Sequence, residues 1–226
     1  IPDDELLKNY YMNDYWTLRS KGVKPVFKKR FLKNNRAIAQ AKFFKENINK
    51  NLKISKILEI GAAHASSSLL IRESLKDKSV QLYSCESGKQ WSEYYKDANI
   101  MQIAEYFPFE TDIKFDFIHT SHWLEHIVDV NKTMAKINSM LTNKGGLFIE
   151  VPNTEFYYWD YPQTDTPHIH FFSTKSLKKL GENNGFECIK INTYGIPFRD
   201  LLNGKTPTQE LNPSGCYIRA LFEKKN

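Results

Sequence analysis

The sequence predicts an α/β protein with a mostly parallel sheet, and two patterns carry this prediction. From Lys56 onward, short apolar runs typical of strands alternate with longer stretches of helical periodicity. Such alternation places helices on both faces of a parallel sheet. The last two strand patterns have no helical pattern between them, which predicts an antiparallel pair joined by a long loop. The 226 residues suffice for one well-buried domain of this kind.

The strand and helix patterns follow one another regularly, and we found no internal repeat. A polar and aromatic loop precedes the last helical pattern, and a loop containing Pro and Gly precedes the last strand. One domain over residues 56–226 is therefore the simplest organisation. Strand patterns cover residues 56–61, 80–85, 99–104, 115–120, 146–151, 186–194 and 215–223. Helical patterns lie near residues 66–76, 88–97, 123–128, 130–142 and 174–184.

Residues 1–55 form a helical extension in front of this domain. Asp3 precedes a helix start, and Pro25 opens a second helical pattern. Residues 1–56 hold 14 Lys and Arg against 5 Asp and Glu, whereas the remainder holds 18 against 21. The basic segment suits nucleic acid, membrane headgroups or a phosphorylated small molecule, or it is a solvated helix face. Its aromatic residues predict a lid over a ligand or a docking surface: Tyr10, Tyr11, Tyr15 and Trp16. The second helical pattern consists of Phe27, Phe31, Ile38, Ala41, Phe44 and Ile48.

The composition excludes several other classes of protein. A hydrophobic fraction of 41% and a mean hydropathy of −0.54 are ordinary for a globular chain. No apolar run approaches the roughly 18 residues of a membrane span, and no signal-peptide pattern is present. Cys85, Cys188 and Cys216 are widely spaced and form neither a metal-ligand pair nor a disulfide framework, which favours a reducing, cytoplasmic setting. We therefore expect no metal site.

The most informative stretch runs from Lys56 to Leu70. An apolar run meets a cluster of Gly, Ala and Ser and then a helical pattern, which predicts a strand, a tight turn and a helix that approach a ligand closely. Of the glycines in a G-x-G-x-x-G turn, Gly61 is present, and Ala63 and Ala65 stand where further glycines would be. Because alanine resists a positive φ, we expect ordinary backbone angles at these two positions.

Polar residues collect where the predicted strands end. Ligands of doubly wound sheets bind beyond the carboxyl ends of the strands, so these residues are site candidates. Glu86 ends the second strand about 20 residues after the turn, where an acid can accept hydrogen bonds from a ribose. His119, Ser121 and His122 follow the fourth strand, and Glu150 stands near the end of the fifth.

Several phrases in order resemble the class I S-adenosylmethionine-dependent methyltransferases, in the branch of the ubiquinone-pathway and sugar O-methyltransferases. The similarity covers residues 56–226. It implies a Rossmann-like, doubly wound, seven-stranded sheet with the last strand antiparallel beside the sixth, and S-adenosylmethionine as cofactor. The phrases are Glu59-Ile60-Gly61, Glu86, Phe115-Asp116-Phe117-Ile118, Trp123-Leu124-Glu125-His126, the run from Gly145 to Asn153, and the run from His168 to Leu177.

The resemblance implies roles for the residues around the turn. Gly61, Ala62 and Ala63 would line the methionine end of the cofactor, with Glu59 beneath them. Glu86 would accept hydrogen bonds from both ribose hydroxyls. Many relatives have an acid at the position of Ile103, so the resemblance does not define a contact with the adenine amino group.

The resemblance also assigns the adenine and methyl ends of the cofactor. Ile103 and Ala104 would border the adenine, joined by Glu105. Ser121 and His122, after the fourth strand, would run beside the sulfonium and its methyl group. The sequence thus implies a continuous cofactor groove over the first, second, third and fourth strands.

Histidines are the candidate catalytic residues. Methyl transfer is an in-line displacement in which the protein aligns the acceptor, and a hydroxyl acceptor also needs a base. His126, His168 and His170 are candidates because a histidine is mostly neutral at pH 7. A structural role for His126 is an equal alternative. Of His168 and His170, one would fix the loop while the other faces the site, and we favour His168 as the base.

The sequence leaves the acceptor open. We expect O-methylation of a small molecule such as a sugar, a nucleotide-linked sugar, or a phosphorylated or phosphoramidate precursor of a surface polysaccharide. The aromatic cluster Tyr157, Tyr158, Trp159 and Tyr161 would wall its pocket or pack the loop. A nucleic-acid methyltransferase is disfavoured. Base methylases that act on amino groups often have Asn/Asp-Pro-Pro-Tyr/Phe after the fourth strand, where this chain has Thr-Ser-His-Trp. A cofactor-binding module without activity and a dehydrogenase are further alternatives.

Overall fold

A seven-stranded sheet forms the centre of the protein, as the alternation of patterns predicts. The strands are β1 (Lys56–Ile60), β2 (Gln81–Cys85), β3 (Met101–Ala104), β4 (Phe115–Ser121), β5 (Leu141–Pro152), β6 (Phe186–Tyr194) and β7 (Tyr217–Lys224). The computed structural model describes residues 3–21, 23–28, 32–156, 158–160 and 168–226. The predicted roles of Phe31, Tyr157 and Tyr161 lie outside these residues.

The strand order is β3-β2-β1-β4-β5-β7-β6. Strand β7 is antiparallel to both of its neighbours, and the other described pairs are parallel. The predicted antiparallel pair at the end of the chain is therefore confirmed. The order reverses between β1 and β4, which places a crevice beyond the carboxyl ends of these two strands.

Helices cover the sheet and precede it. A π-helical turn, Tyr10–Asp14, joins the first two helices. The helices are α1 (Asp4–Asn9), α2 (Tyr15–Ser20), α3 (Asn35–Asn47), α4 (Ser66–Leu75), α5 (Ser92–Asp97), α6 (Val130–Met140), α7 (Thr174–Asn183) and α8 (Phe198–Leu202). Single 3₁₀ turns lie at Lys89–Trp91, Leu124–His126 and Tyr158–Asp160.

Apolar side chains fill both faces of the central strands. In β1, Ile57 belongs to one core cluster, and Leu58 and Ile60 belong to the other. This split follows from the period of two in a strand. On the first face, helix α3 packs Phe44 against Phe117, with ring centroids 4.7 Å apart. Burial on both faces fixes the sheet, and with it the position of every strand end.

Side-chain caps explain where several helices begin. Asp3 accepts a hydrogen bond from the Glu5 backbone, so the predicted start of the first helix is confirmed. The helix predicted from Pro25 instead begins at Asn35, and residues 23–28 are not helical. It begins there because the Asn34 side chain accepts hydrogen bonds from the backbone N–H groups of Arg36 and Ala37. The helix predicted over 130–142 ends at Met140, because β5 starts at Leu141. The helix predicted over 123–128 is a single 3₁₀ turn.

Candidate functional site

A cavity of about 230 Å³ lies beyond the carboxyl ends of β1, β2 and β4. It occupies the crevice at which the strand order reverses, where ligands of doubly wound sheets bind. Residues of the N-terminal segment close one side of it, so the wall combines strand ends with the first helices. The lining residues are Tyr11, Tyr15, Trp16, Gly61, Ala63, Cys85, Glu86, Ser87, Glu105, Tyr106, Phe107, Ser121, His122, Trp123, His126 and Ile127.

Glu86 follows β2 and places its carboxylate in this cavity. Oε2 accepts the Ala63 backbone N–H over 2.6 Å, and Oε1 accepts the Trp16 indole N–H over 3.0 Å. Oε1 also accepts the backbone N–H and the hydroxyl of Ser87. Burial raises the pKa of Glu86, and these hydrogen bonds partly offset the rise. Glu86 therefore lies in the cavity wall, where protein donors already hold it, and its contact with a ribose stays a prediction.

The turn after β1 differs from the prediction for its backbone. Gly61 has φ +69°, but Ala63 at +42° and Ala65 at +47° are also left-handed, so the expectation of ordinary angles is wrong. Non-glycine residues keep such angles where neighbours over-determine them. The Tyr95 hydroxyl donates to the Ala63 carbonyl over 2.8 Å, and the Ala65 N–H bonds the Ala62 carbonyl over 2.6 Å. Tertiary hydrogen bonds thus impose the turn on alanines.

A smaller hollow of about 180 Å³ lies behind the turn, and Gly61, Ala63 and Ser121 line both spaces. Its wall also includes Glu59 and Ala62, as the resemblance implies for the methionine end of the cofactor. The hollow is rich in hydrogen-bonding groups. Its other lining residues are Asn34, Arg36, Ala37, Gln40, His64, Ala65, Ser66 and Ser67.

Two buried polar residues support this hollow. Glu59 accepts the Ser68 backbone N–H of helix α4 over 3.3 Å, and its other oxygen lies 3.3 Å from His119 Nδ1. Gln40 donates to the Ser121 hydroxyl over 2.9 Å and accepts from the Ser67 hydroxyl. Helix α3 is thereby tied to both the turn and the end of β4.

The structure does not bring Ile103 and Ala104 to the cavity. Ile103 packs against the hydrophobic core, and the Ala104 carbonyl accepts the Glu86 N–H over 3.2 Å. The next three residues, Glu105, Tyr106 and Phe107, line the cavity instead. The cavity wall therefore lies directly after β3 rather than on it, and an adenine contact there stays a prediction.

His122 connects two buried carboxylates at the ends of β4 and β5. Its Nδ1 lies 3.4 Å from Glu125 Oε1, and its Nε2 lies 3.4 Å from Glu150 Oε1. Burial alone would lower the pKa of His122, but the two carboxylates raise it overall. Arg219 donates from Nε to Glu150 Oε2 over 2.5 Å, and Arg36 Nε lies 3.7 Å from Oε1. Although burial opposes it, these cationic partners lower the pKa of Glu150.

Of the predicted catalytic histidines, His126 lines the cavity, whereas His168 and His170 are not among its lining residues. The His126 and His168 rings are 4.8 Å apart, and the Tyr158 hydroxyl lies 2.5 Å from His168 Nδ1. Burial lowers the pKa of His168, and His126 lowers it further. His170 Nε2 is instead 3.2 Å from the Val128 carbonyl. The structure thus brings two of the three histidines together, and their catalytic role stays a prediction.

Sequence reasoning gave no role to several residues that the structure places in or beside the site. Glu125 and Arg219 are the clearest examples, since both are 1% exposed. A weak signal was present, because Glu150 and Arg219 each interrupt an apolar strand pattern with opposite charge. No local pattern pointed to Trp16 as the partner of Glu86, because 70 residues separate them.

The fold and the site define the class of protein. The strand order with an antiparallel seventh strand, and an acid after β2 facing the crevice, are those of class I S-adenosylmethionine-dependent methyltransferases. A family model described as a methyltransferase domain matches residues 26–191, which is more than half of the chain. The chain belongs to this family, and it is an S-adenosylmethionine-dependent methyltransferase.

Solved structures of methyltransferases share the fold over nearly the whole chain. A methyltransferase of Thermotoga maritima, described as a possible histamine N-methyltransferase, is 16% identical with a TM-score of 0.61, covering 98% of this chain and 99% of that one. The 1,6-didemethyltoxoflavin-N1-methyltransferase of Burkholderia thailandensis, with bound S-adenosylhomocysteine, is 12% identical with a TM-score of 0.64, covering 98% and 88%. The plantazolicin methyltransferase BpumL, in complex with S-adenosylhomocysteine, is 12% identical with a TM-score of 0.62, covering 97% and 94%.

Two negative findings accompany these similarities. No curated protein sequence matches this chain significantly. Among the described residues, no helix combines the length and the apolar character that crossing a bilayer requires.

Proposed function

We propose that this methyltransferase methylates a hydroxyl oxygen of a small molecule that binds at the His126 end of the cavity. The observation that carries the proposal is the pair of His126 and His168 rings 4.8 Å apart, because His126 also lines the cavity that contains Glu86. Ser121 and His122, beside which the resemblance puts the methyl group, line the same cavity as His126. An acceptor beside His126 would therefore meet the methyl group in line.

His168 suits the activation of a hydroxyl. Its pKa is lowered by burial, so its ring is neutral at pH 7. When Nδ1–H donates to the Tyr158 oxygen, Nε2 keeps an unshared electron pair beside His126. An amine acceptor that is already neutral needs no such group, whereas a hydroxyl of high pKa does. This chemistry favours an oxygen acceptor.

A basic hollow next to the cavity supports an acceptor with a phosphate, including a nucleotide-linked sugar. The hollow has a volume of about 360 Å³, and Trp16 lines both spaces. Lys24 and Lys28 contribute to its wall, while no acidic residue does so within the described part of the chain. Paired ammonium groups there would attract an anionic acceptor.

We propose that the N-terminal segment acts as a lid over the cavity and that it ends at a domain boundary near residue 55. Tyr11 lines the cavity from the π-helical turn, and Tyr15 and Trp16 line it from α2. Helix α3, by contrast, packs in the core. We therefore expect it to stay in place when the lid opens. A lid that excludes water would strengthen the polar contacts within the site.

Transfer of a labelled methyl group tests the proposal. The protein would be incubated with S-adenosylmethionine carrying a ¹³C-methyl group and a panel of hydroxyl acceptors, with and without phosphate. We expect a methyl ether signal, and a loss of at least about tenfold in kcat for His168→Ala. His170→Asn keeps a donor for the Val128 carbonyl, so its loss should be smaller. Methyl transfer to nitrogen acceptors alone would contradict the proposal.

The nucleic-acid alternative is tested in parallel by an electrophoretic shift with RNA and DNA. Binding through phosphate contacts weakens steeply with salt, whereas binding of a small acceptor depends less on it. We expect no stable complex at moderate salt. A salt-resistant complex together with methylated RNA would favour the alternative.

A further inference from the structure

Glu125 is a buried carboxylate whose oxygens accept no hydrogen bond from the described part of the chain. Its side chain is 1% exposed, and neither Oε1 nor Oε2 has a hydrogen-bond partner. The nearest nitrogens, His122 Nδ1 and His126 Nε2, are 3.4 and 3.9 Å from Oε1. A buried carboxylate that accepts no hydrogen bond is unfavourable unless a charged group compensates it. His122 is shared between Glu125 and Glu150, so the site favours a further cation beside Glu125.

Two histidines complete a set of metal-ligating groups around this carboxylate. One ligand atom from each of Glu125, His126 and His168 lies within 4.8 Å of the other two. Two imidazoles and one carboxylate with an open position are a ligand set that divalent zinc and neighbouring transition metals accept. The absence of paired cysteines, on which the sequence-based expectation of no metal site rested, does not bear on such a set.

The surroundings hold these ligands in position. The Tyr158 hydroxyl at 2.5 Å fixes the His168 ring through Nδ1, which leaves Nε2 for a ligand bond. The Glu125 carbonyl accepts the backbone N–H groups of Ile169 and His170 over 2.8 and 3.0 Å. These bonds tie the segment that carries His168 to the 3₁₀ turn that carries Glu125 and His126. Support of this kind is what metal ligands usually have.

We propose that Glu125, His126 and His168 bind one divalent transition-metal ion that activates the acceptor hydroxyl. This inference rests on the proposed function and refines it: the electron pair of His168 Nε2 binds the ion, and the ion rather than the imidazole activates the hydroxyl. The oxygen binds at the open position, and the ion lowers its pKa so that the proton passes to solvent. The oxygen then attacks the methyl carbon, the carbon–sulfur bond breaks, and neutral S-adenosylhomocysteine leaves with the electron pair on sulfur.

Metal binding is measured without cofactor or acceptor, so its outcome is independent of methyl transfer. The chain is purified without a polyhistidine tag, stripped with a chelator, and titrated with Zn²⁺ by calorimetry and with Co²⁺ by visible absorption. We expect one equivalent per chain and the intense visible bands of Co²⁺ in a site of low coordination number. His168→Ala and Glu125→Gln should weaken binding by at least about a hundredfold, and Tyr158→Phe by ten- to a hundredfold.

His170→Asn is the matched control for metal binding, because it lies two residues from His168 and contacts the Val128 carbonyl. It should leave the stoichiometry and the affinity unchanged, and circular dichroism verifies that each variant is folded. No stoichiometric binding to the wild type, or equal binding to His168→Ala, would overturn the inference. Methyl transfer that survives chelation would also overturn it while leaving the proposed function intact. Metal binding without transfer to any hydroxyl would instead count against the proposed function.

Discussion

Trp16 donates its indole N–H to Glu86 Oε1 over 3.0 Å, which joins helix α2 to the end of β2. The same carboxylate accepts from Ala63 and twice from Ser87. A carboxylate offers about four lone-pair positions, so these four hydrogen bonds fill its capacity. A ribose hydroxyl pair needs these positions as well. We infer that Trp16 gives up this hydrogen bond when the cofactor binds.

Trp16→Phe tests this competition at the ribose acid. Phenylalanine keeps the aromatic contact with Trp91, whose ring centroid is 4.9 Å away, but cannot donate to Glu86. We expect S-adenosylhomocysteine to bind about three- to tenfold more tightly, because no hydrogen bond to a charged group must be broken. Calorimetry measures the affinity. Weaker binding by the variant would show that Trp16 closes over the cofactor without leaving Glu86.

Glu150→Gln is expected to destabilise the protein strongly. Glu150 and Arg219 are 0% and 1% exposed, and removing one partner leaves the other charge buried. Such losses amount to about 3–5 kcal/mol, which urea unfolding measures. Because the folded-state pKa of Glu150 is lowered, its stabilisation is present above the unfolded-state pKa and is lost as the pH falls. The variant should therefore lose less stability on acidification than the wild type.

An exposed ion pair provides the control for this prediction. Lys178 and Glu182 lie 3.8 Å apart on the surface of α7. Glu182→Gln removes a charge of the same sign from a solvated site, and we expect a change below about 0.5 kcal/mol. Equal effects of the two substitutions would contradict the account of the buried pair.

Ala65→Gly tests the left-handed turn after β1. Relief of the strain at φ +47° favours the folded state by about 1–2 kcal/mol, and the greater freedom of glycine in the unfolded chain removes about 0.5–1 kcal/mol of that. We expect the free energy of unfolding, measured by thermal denaturation, to rise by up to about 1 kcal/mol. Gly61→Ala should do the reverse, because its φ is +69° and a Cβ would lie 3.0 Å from Trp123. A loss of stability in Ala65→Gly would contradict the strained turn.

Cofactor affinity should fall on the acidic side through Glu86. Burial raises the pKa of this carboxyl above its ordinary value of 4.5, so it gains a proton at a higher pH than a solvated glutamate. The protonated acid accepts ribose hydrogen bonds less well. Calorimetry with S-adenosylhomocysteine from pH 8 to pH 5 should show weakening that begins above pH 4.5. Glu86→Gln should bind more weakly throughout and lack this pH dependence.

The sheet could be predicted from the sequence because its signals are local. Each apolar run with turn residues at its ends became a strand. The lack of a helical pattern before β7 predicted the antiparallel pair, although the sequence did not predict the short helix α8 in that connection. The start of α3 was missed because an apolar repeat extends past the Asn34 cap, and a repeat by itself does not show where hydrogen bonding begins. Helix α6 likewise stops where β5 begins pairing, which is a tertiary effect.

The site could be predicted in part, for the same physical reason. Glu86 and Gly61 occupy positions that follow from strand ends and turns, so their places were foreseeable. The angles of Ala63 were not, since its N–H donates to Glu86 and its carbonyl accepts from Tyr95, and both partners are distant in the chain. The approach of His168 to His126 also depends on the hydrogen bonds from the Ile169 and His170 backbone to the Glu125 carbonyl. No local periodicity encodes such contacts.

Calorimetric binding of S-adenosylhomocysteine to the wild type and to Glu86→Ala tests the central claim most directly. We expect one site per chain with a Kd in the micromolar range, corresponding to about −8 kcal/mol. The variant should remain folded and bind at least about tenfold more weakly, because the acceptor of the ribose hydroxyls is gone. No detectable binding to the folded wild type, or equal binding to both proteins, would contradict the assignment of this cavity as the cofactor site.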